Sequence, residues 1–261
     1  MPAEALHHWI VVVDIEGFSS RPNPIQASLR AALYQVVEES LDRAGVPAEG
    51  VVSEDRGDGV LLLVPAGVSP VLLVGPLIRA LDDGLRQKAA VHSAAHALRL
   101  RVSLHQGLAG QDDRGWSGDA VNTAFRLVDA DPVKAALAAA TGANLVFVVS
   151  QEVYQGVVRH AYQSVDAAAY LPVRLTVKHG VVLDAWITVP GYPAPPGVTA
   201  APTEPEPQPD PEPAVRPGPS AAGGRRRPAA SVLFEFHGDV HGDQIAGDKY
   251  QYGSAQDVEQ R

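Results

Sequence analysis

The sequence predicts an α+β domain over residues 1–190, followed by a proline-rich linker and a short glycine-rich motif. Short apolar runs rich in β-branched residues alternate with longer segments whose apolar residues recur at helical spacing. An Asp-Gly pair between two of these runs is typical of a β-hairpin turn. After Pro190 the composition changes abruptly to Pro, Ala and Glu, which indicates the end of the folded part.

The first elements are predicted from the two periodicities in turn. Trp9–Val13 is a buried apolar run and therefore a strand. Pro24–Ala44 is predicted to be a helix because its apolar residues recur three and four positions apart. Val51–Val52 and Val60–Val64 flank the sequence SEDRGDG and read as the two strands of a hairpin.

The remaining elements follow from the same two patterns. They are a helix at Pro70–Lys88, a strand at Leu98–His105, a helix at Val121–Ala130, a strand at Leu145–Val149 and a strand pair at Val173–Val177 and Val182–Val189. The order strand, helix, hairpin, helix, strand at the start of the chain predicts a ferredoxin-like βαββαβ sheet.

The composition limits the classes of function. Hydrophobic residues make up 46%, but no apolar run is long enough to cross a membrane, and the first residues lack the features of a signal peptide. Without cysteine, disulfides, thiolate zinc sites and thiol catalysis are excluded, and we expect a cytoplasmic protein. The net charge is -9 and the basic residues cluster only at 225–227, so neither a nucleic acid nor a membrane is an expected partner.

The part after the domain is predicted to divide into three segments. Residues 191–230 form an extended, disordered linker, because proline fixes φ and removes amide donors. Residues 231–253 form a β-prone interaction motif, and residues 254–261 a tail. The motif, SVLFEFHGDVHGDQIAGDKYQYG, resembles bacterial amyloid signalling motifs and would recruit an effector protein. A disordered tail and a strand docked on the domain are the alternatives.

Two aspartates are predicted to lie together at one end of the sheet. Asp14 follows the first strand and Asp58 lies in the hairpin turn. Taken alone, each is more typical of a turn residue. In a ferredoxin-like sheet, however, the first strand lies beside the hairpin. Two carboxylates about 4 Å apart repel by roughly 4 kcal/mol at an effective dielectric constant of 20, and a bound divalent cation reverses that sign.

A second pair of polar residues lies on the helix at Val121–Ala130. Asn122 and Arg126 are four residues apart and therefore share one helix face. Taken alone, the pair is more typical of a solvated surface helix. Its functional interpretation is an amide that positions a sugar and a guanidinium that stabilises a transferring phosphoryl group.

The motifs DIEGF, EDRGDG, RVSLHQG and GDAVNTAFRL occur in the order and approximate spacing of class III adenylyl and guanylyl cyclases. Residues 1–190 resemble a class III nucleotidyl cyclase catalytic domain, of the actinobacterial type. The resemblance implies that Asp14 and Asp58, with the backbone carbonyl of Ile15, bind metal. It also places Asn122 and Arg126 on the transition-state pair of that family.

The same resemblance implies further properties. Lys178 matches a lysine that contacts the triphosphate. Two divalent ions, Mg²⁺ or Mn²⁺, would be the cofactors, and a nucleoside triphosphate the substrate. The products would be a 3′,5′-cyclic nucleotide and pyrophosphate, in signalling or anti-phage defence. Such sites form between the two chains of a homodimer, with the carboxylates from one chain and the Asn/Arg pair from the other.

The base of the substrate is predicted less directly. Glu54 falls where guanylyl cyclases carry Glu, and its carboxylate can accept hydrogen bonds from N1–H and the 2-amino group of guanine, which favours GTP. Two departures from the family pattern leave ATP and the pyrimidine triphosphates open. Gly115 at the second base-reading position has no side chain, and Arg56 replaces an apolar residue. A relative of the bacterial pyrimidine cyclases is thus an alternative.

Competing functions belong to the class of binding modules. A catalytically silent cyclase-like domain could bind a nucleotide and act as a scaffold recruited to partners through the C-terminal motif. Alternatively, an adaptor could act mainly through that motif. The sequence contains both carboxylates that would bind metal, Asp14 and Asp58, and also Lys178, which would contact the triphosphate. Their joint presence favours an enzyme over a silent domain.

Overall fold

The computed structural model describes residues 4–162, 165–176 and 180–201. Its strands are β1 (Leu6–Ile15), β2 (Val52–Asp55), β3 (Gly59–Pro65), β4 (Leu100–Asp112), β5 (Gly115–Ser117), β6 (Leu145–Ser150), β7 (Leu171–Thr176) and β8 (Val182–Thr188). Its α-helices are α1 (Asn23–Arg43), α2 (Pro70–Val74), α3 (Pro76–Val91), α4 (Asp119–Val128), α5 (Asp131–Ala139) and α6 (Gln151–Gly156). All of these elements belong to one α+β domain.

One sheet contains every strand of the described residues. Its order is β2-β3-β1-β4-β6-β8-β7, and β5 pairs with β4 outside this path. β1 is antiparallel to both of its neighbours, β3 and β4, whereas β4 and β6 are parallel. The portion β2-β3-β1-β4, with α1 and α3 as its connections, has the ferredoxin-like βαββαβ order that the sequence predicts, and this prediction is confirmed.

The predicted helix at Pro70–Lys88 is two helices, because the chain breaks at Gly75. Gly75 has φ −113° and ψ −83°, outside the helical region, and Pro76 supplies no amide donor to continue α2. β4 also runs beyond the predicted end at His105 and turns back after Asp112 to pair with β5. The apolar periodicity did not predict the extension of β4 or the strand β5, because glycines interrupt the pattern in that segment.

The two faces of the sheet carry separate cores, as the alternation of β1 requires. Val11, Val13 and Ile15 face the layer of α1 and α3, together with apolar residues of β3, β4 and β6. Ile10 and Val12 face α4. A third cluster joins α5 to β6, β7 and β8. β1 is therefore buried on both sides from His8 to Val13, and the half-buried Asp14 lies near its C-terminal end.

The first residues of the predicted linker contact the domain. The hydroxyl of Tyr192 accepts a hydrogen bond from the amide of Gly142 at 3.2 Å, and the amide of Ala201 donates to the carbonyl of Pro172 at 2.8 Å. The rest of that segment and the predicted motif, residues 202–261, lie outside the described residues. Among the described helices, none combines the length and apolar character needed to cross a membrane.

A buried aspartate on α3 gives a first testable prediction. Asp82 pairs with Arg86 at 2.6 Å, yet burial raises the pKa of the Asp82 carboxyl above 3.8, more than Arg86 lowers it. The stability that this group contributes is therefore complete below pH 3.8 and is lost as pH rises through the folded-state pKa. We expect Asp82→Asn to raise the free energy of unfolding at pH 7 by roughly 0.5–1 kcal/mol.

The measurement is urea unfolding of both proteins at neutral and at acidic pH. The gain should shrink as the pH falls and vanish below pH 3.8, where the carboxyl is protonated in the folded and the unfolded chain alike. A variant no more stable than the original protein at pH 7 would contradict the prediction.

Candidate functional site

A cleft of about 660 Å³ opens between the C-terminal end of β1, the β2–β3 turn and α4. Both acidic and basic side chains line it. The charged lining residues are Asp14, Asp58, Asp129, Asp131, Arg56, Arg126 and Lys134. Apolar side chains of β1 and α4 form its floor. The cleft thus brings together both predicted metal carboxylates and one member of the predicted Asn/Arg pair.

Asp14 lies at the inner end of this cleft and is held by an arginine of the neighbouring strand. Nε of Arg101 donates to Asp14 Oδ2 at 2.7 Å, and Nη2 donates to the same oxygen. The side chain of Asp14 is only 19% exposed, and that of Arg101 is 14% exposed. Burial raises the pKa of Asp14, outweighing the lowering by Arg101, and the charges of Asp58 and Asp129 raise it further. Both bonds from Arg101 reach Oδ2, and Asp14 Oδ1 has no hydrogen-bond partner among the described residues.

Asp58 reaches the same cleft from the β2–β3 turn. The amide of Ile15 donates to the carbonyl of Asp58 at 3.0 Å, which fixes the turn against the end of β1. The next residue, Gly59, allows this close approach, because a Cβ there would lie 2.3 Å from the carbonyl oxygen of Val13. The Asp58 side chain is exposed and has no hydrogen-bond or ion-pair partner among the described residues. It is therefore available to a ligand.

The turn that carries Asp58 is also held from the α1 side. Arg30 of α1 donates from Nη1 to the carbonyl of Gly57 and from Nη2 to Asp55 Oδ2. The other carboxylate oxygen of Asp55 accepts from the amide of Gly57 at 2.8 Å. These hydrogen bonds lower the pKa of the Asp55 carboxyl. The bond from the Gly57 amide has the larger effect and the bond from Arg30 the next largest. Sequence analysis did not identify Arg30 or Arg101, since neither lies in a local motif with its partner.

The α4 side of the same hairpin carries Glu54. Its carboxylate accepts from Arg56 Nη2 at 3.1 Å, and the Arg56 guanidinium lies 5.3 Å above the centre of the Phe125 ring. Gly115 of β5 lies directly against Glu54, because a Cβ on Gly115 would be 2.5 Å from Glu54 Oε1. The two positions that the sequence links to base choice are therefore neighbours in the fold.

The predicted Asn/Arg pair occupies α4, which packs on the sheet through Val121, Ala124 and Val128. Arg126 lines the cleft and has no hydrogen-bond or ion-pair partner among the described residues. Asn122 is exposed one turn earlier and is not part of the cleft lining. A single chain thus brings Arg126, but not Asn122, to the cleft of the two carboxylates.

Another arginine fixes the loop that follows Asp14. Arg99 Nη1 donates to Glu16 Oε2 at 2.7 Å, and the same guanidinium donates to the carbonyls of Ala140 and Ala143 at 3.0 Å and to that of Leu137. These carbonyls lie at and after the C-terminal end of α5. Arg99 therefore connects the DIEGF segment to α5 and limits the movement of Asp14 and Ile15.

The cleft has a third basic side chain, which was not predicted from the sequence. Lys134 of α5 lines it and pairs with Asp129 at 2.5 Å. The predicted phosphate-binding Lys178 lies outside the described residues, which end at Thr176 and resume at Gly180. Thr176 itself lines the cleft, so β7 ends at its border.

The donor set of the cleft suits a hard cation. No group of three or more His, Cys, Asp or Glu side chains able to hold a metal ion occurs among the described residues. Asp14 and Asp58 nevertheless supply two carboxylates at one end of a cleft large enough for a ligand. Mg²⁺ is commonly bound by one or two carboxylates together with substrate phosphates, so this sparse set fits an ion that arrives with a phosphate ligand.

Comparisons with known proteins bear on the fold. No family model and no curated protein matches this chain. Among solved structures it is similar to an adenylate/guanylate cyclase/hydrolase from Silicibacter pomeroyi, with a TM-score of 0.52 and 20% identity over 72% of this chain and 99% of that one. A guanylate cyclase domain from Catenaria anguillulae, in complex with GTP, is 18% identical over 72% and 99% of the two chains, with a TM-score of 0.47.

At this level of identity the similarity concerns the fold. The described domain has the α+β fold of a class III adenylate/guanylate cyclase catalytic domain.

Proposed function

We propose that this protein is a nucleotidyl cyclase that forms a 3′,5′-cyclic nucleotide and pyrophosphate from a nucleoside triphosphate. The observation that carries the proposal is the pair of carboxylates, Asp14 and Asp58, that line one cleft within a cyclase-like fold. In this reaction the ribose 3′-oxygen attacks the α-phosphorus. A new P–O bond forms, the bond to pyrophosphate breaks, and the hydroxyl proton leaves to solvent.

The positions of the acidic residues support the roles proposed for them. Asp14, Asp58 and the carbonyl of Ile15 would hold two divalent ions, Mg²⁺ or Mn²⁺. When bound, these ions activate the 3′-hydroxyl and neutralise the triphosphate. Arg101 orients Asp14 through two hydrogen bonds to one oxygen, and Arg30 holds the turn of Asp58. The chain itself thus fixes the Asp14 carboxylate and the turn that carries Asp58 before a substrate arrives.

The basic residues would stabilise the transferring phosphoryl group. Arg126 makes no hydrogen bond or ion pair with the described residues, so its donors are available to the charge that develops on the α-phosphate oxygens. Asn122 would orient the ribose, and Lys178 would contact the triphosphate. We also propose that the protein acts as a homodimer, with Asn122 and Arg126 of one chain completing the carboxylate site of the other. The exposed position of Asn122, away from its own chain's cleft, supports that arrangement.

GTP is the favoured substrate in this proposal. The carboxylate of Glu54 faces the α4 side of the hairpin and can accept from N1–H and the 2-amino group of guanine, whereas N1 of adenine would present a lone pair to it. We further propose a cytoplasmic role in signalling or anti-phage defence, with an effector protein bound through residues 231–253.

The test is turnover of each of the four nucleoside triphosphates by the full chain, with Mn²⁺ and with Mg²⁺, followed by chromatography of the products. A cyclic nucleotide formed most rapidly from GTP is expected. Binding of nucleotide without any cyclic product, at concentrations that permit dimers, would contradict the proposal. That result would instead favour a catalytically silent nucleotide-binding module.

Arg101 provides a prediction about the support of the metal site. Arg101→Met removes both donors from Asp14 while keeping a side chain of similar length. We expect turnover at fixed metal concentration to fall by about 10- to 100-fold, which is typical when the partner of a metal-binding residue is lost. Because the defect lies in the orientation of Asp14, a higher Mn²⁺ concentration should restore part of the rate. A titration curve identical to that of the original protein would contradict this role.

A further inference from the structure

The hairpin residue Glu54 and the residue two positions later form one hydrogen-bonding unit. Glu54 Oε2 accepts from Arg56 Nη2 at 3.1 Å, and the two side chains are 27% and 33% exposed. Both groups therefore keep unused hydrogen-bonding capacity that a ligand can reach. A carboxylate has about four acceptor sites and a guanidinium has five N–H donors.

The orientation of this unit is fixed on two sides. Phe125 of α4 supports the Arg56 guanidinium through a cation–π contact at 5.3 Å. Gly115 lies against Oε1 of Glu54 and leaves no room for a side chain, since a Cβ there would be 2.5 Å from that oxygen. The φ of Gly115, +127°, also disfavours any other residue. Glu54 can hold this position only because residue 115 is glycine.

The unit combines acceptors with a donor. Glu54 supplies two carboxylate oxygens, and Arg56 places its Nη2 donor beside one of them, Oε2, which makes two acceptors and a donor available. The Watson–Crick edge of guanine offers the complement: the 2-amino donor, the N1–H donor and the O6 acceptor. Adenine has no group that could fill the middle position, because its N1 is an acceptor.

We propose that Arg56 is a specificity-determining residue that donates to O6 of guanine, beside the contacts of Glu54 with N1–H and the 2-amino group. This inference rests on the proposed function and assigns the base that the site selects. Arg56 replaces the side chain that Gly115 lacks, so the two departures from the cyclase pattern compensate each other. Arg56 also lines the cleft of Asp14, which places the base-reading unit at its border.

The experiment measures the affinity of the full chain for GTP and for two analogues in the presence of Ca²⁺. ITP lacks the 2-amino group, and 6-thio-GTP replaces O6 with a weaker acceptor. The variant Arg56→Met removes the guanidinium and keeps a side chain of similar length. Arg159→Met, which removes an exposed guanidinium that donates to Gln155 at 2.6 Å and does not line the cleft, is the matched control.

We expect Arg56→Met to weaken GTP binding by about 10- to 100-fold, the range for one well-placed charged contact to a base. The preference for GTP over 6-thio-GTP should disappear in this variant, while the preference for GTP over ITP should persist. Equal weakening of all three ligands would overturn the inference, because Arg56 would then contact phosphate or merely hold Glu54. Equal affinity of the original protein for GTP, ATP, CTP and UTP would overturn it as well.

Turnover is scored separately from binding. A protein that binds with the expected pattern but forms no cyclic product contradicts the proposed function and leaves the base-reading role of Arg56 intact.

Discussion

Asp58→Asn is expected to reduce cyclic-nucleotide formation by about 1,000-fold or more. The substitution keeps the shape of the side chain and removes the charge that the proposed metal ions require. Asp58 is exposed and unpaired among the described residues, so the change should alter the free energy of unfolding by no more than about 0.5 kcal/mol. The loss should therefore appear in turnover and not in the melting temperature.

The measurement compares initial rates at saturating Mn²⁺ with thermal unfolding of the same preparations. Asp113→Asn serves as the control, because Asp113 is also an exposed aspartate near a β-turn but does not line the cleft. It should retain the original rate. Equal rates for Asp58→Asn and Asp113→Asn would exclude Asp58 from the reaction.

Arg126→Met is expected to reduce turnover by about 100- to 1,000-fold, because it removes a preorganised donor from the charge that develops on the phosphate oxygens. Arg126 makes no hydrogen bond or ion pair with the part of the chain that the structure describes, so nothing in that part depends on it for stability. The KM for the nucleotide should change less than the maximal rate, because the guanidinium acts mainly in the transition state. A rise in KM alone would indicate a binding role only.

The same variant tests the proposed dimer when it is mixed with Asp58→Asn. In a two-fold symmetric dimer, half of randomly mixed dimers are heterodimers, and each has one complete site of two. Equimolar mixing should therefore restore about a quarter of the original rate. If Asp58 and Arg126 instead serve one cleft of one chain, mixing will restore nothing. The single chain already brings both residues to one cleft, so the two outcomes separate real alternatives.

Much of the fold could be predicted because its signals are local. The apolar run of β1, the helical spacing in α1 and the Asp-Gly turn each act over a few residues, and together they predict the βαββ order. The break at Gly75–Pro76 could also have been recognised from the proline. β5 and the extension of β4 could not, because a short glycine-rich hairpin has too few side chains to show a period.

The candidate site divides in the same way. Asp14, Asp58, Glu54 and Arg126 stand in short motifs, and the motifs taken together suggest metal, base and phosphate binding. The arginines that hold this site in place do not stand in the same motifs as their partners. Arg101 is separated from Asp14 by 87 positions, and Arg30 from Asp55 by 25. Pairs at such separations leave no pattern in a single sequence, because they are neighbours only after the sheet and α1 have assembled.

The sequence by itself determined the order of strands and helices and the chemical groups available at the ends of β1 and of the β2–β3 hairpin. The tertiary structure decided which of those groups meet, how deeply each is buried and which counter-ion each receives. Glu54 shows the difference: its carboxylate is evident from the sequence, but its pairing with Arg56 and its contact with Gly115 follow from the packing of β5 and α4. The physical reason is that secondary structure depends on nearest neighbours along the chain, whereas the free energy of a charge depends on burial and on partners that only the folded chain brings within a few ångströms.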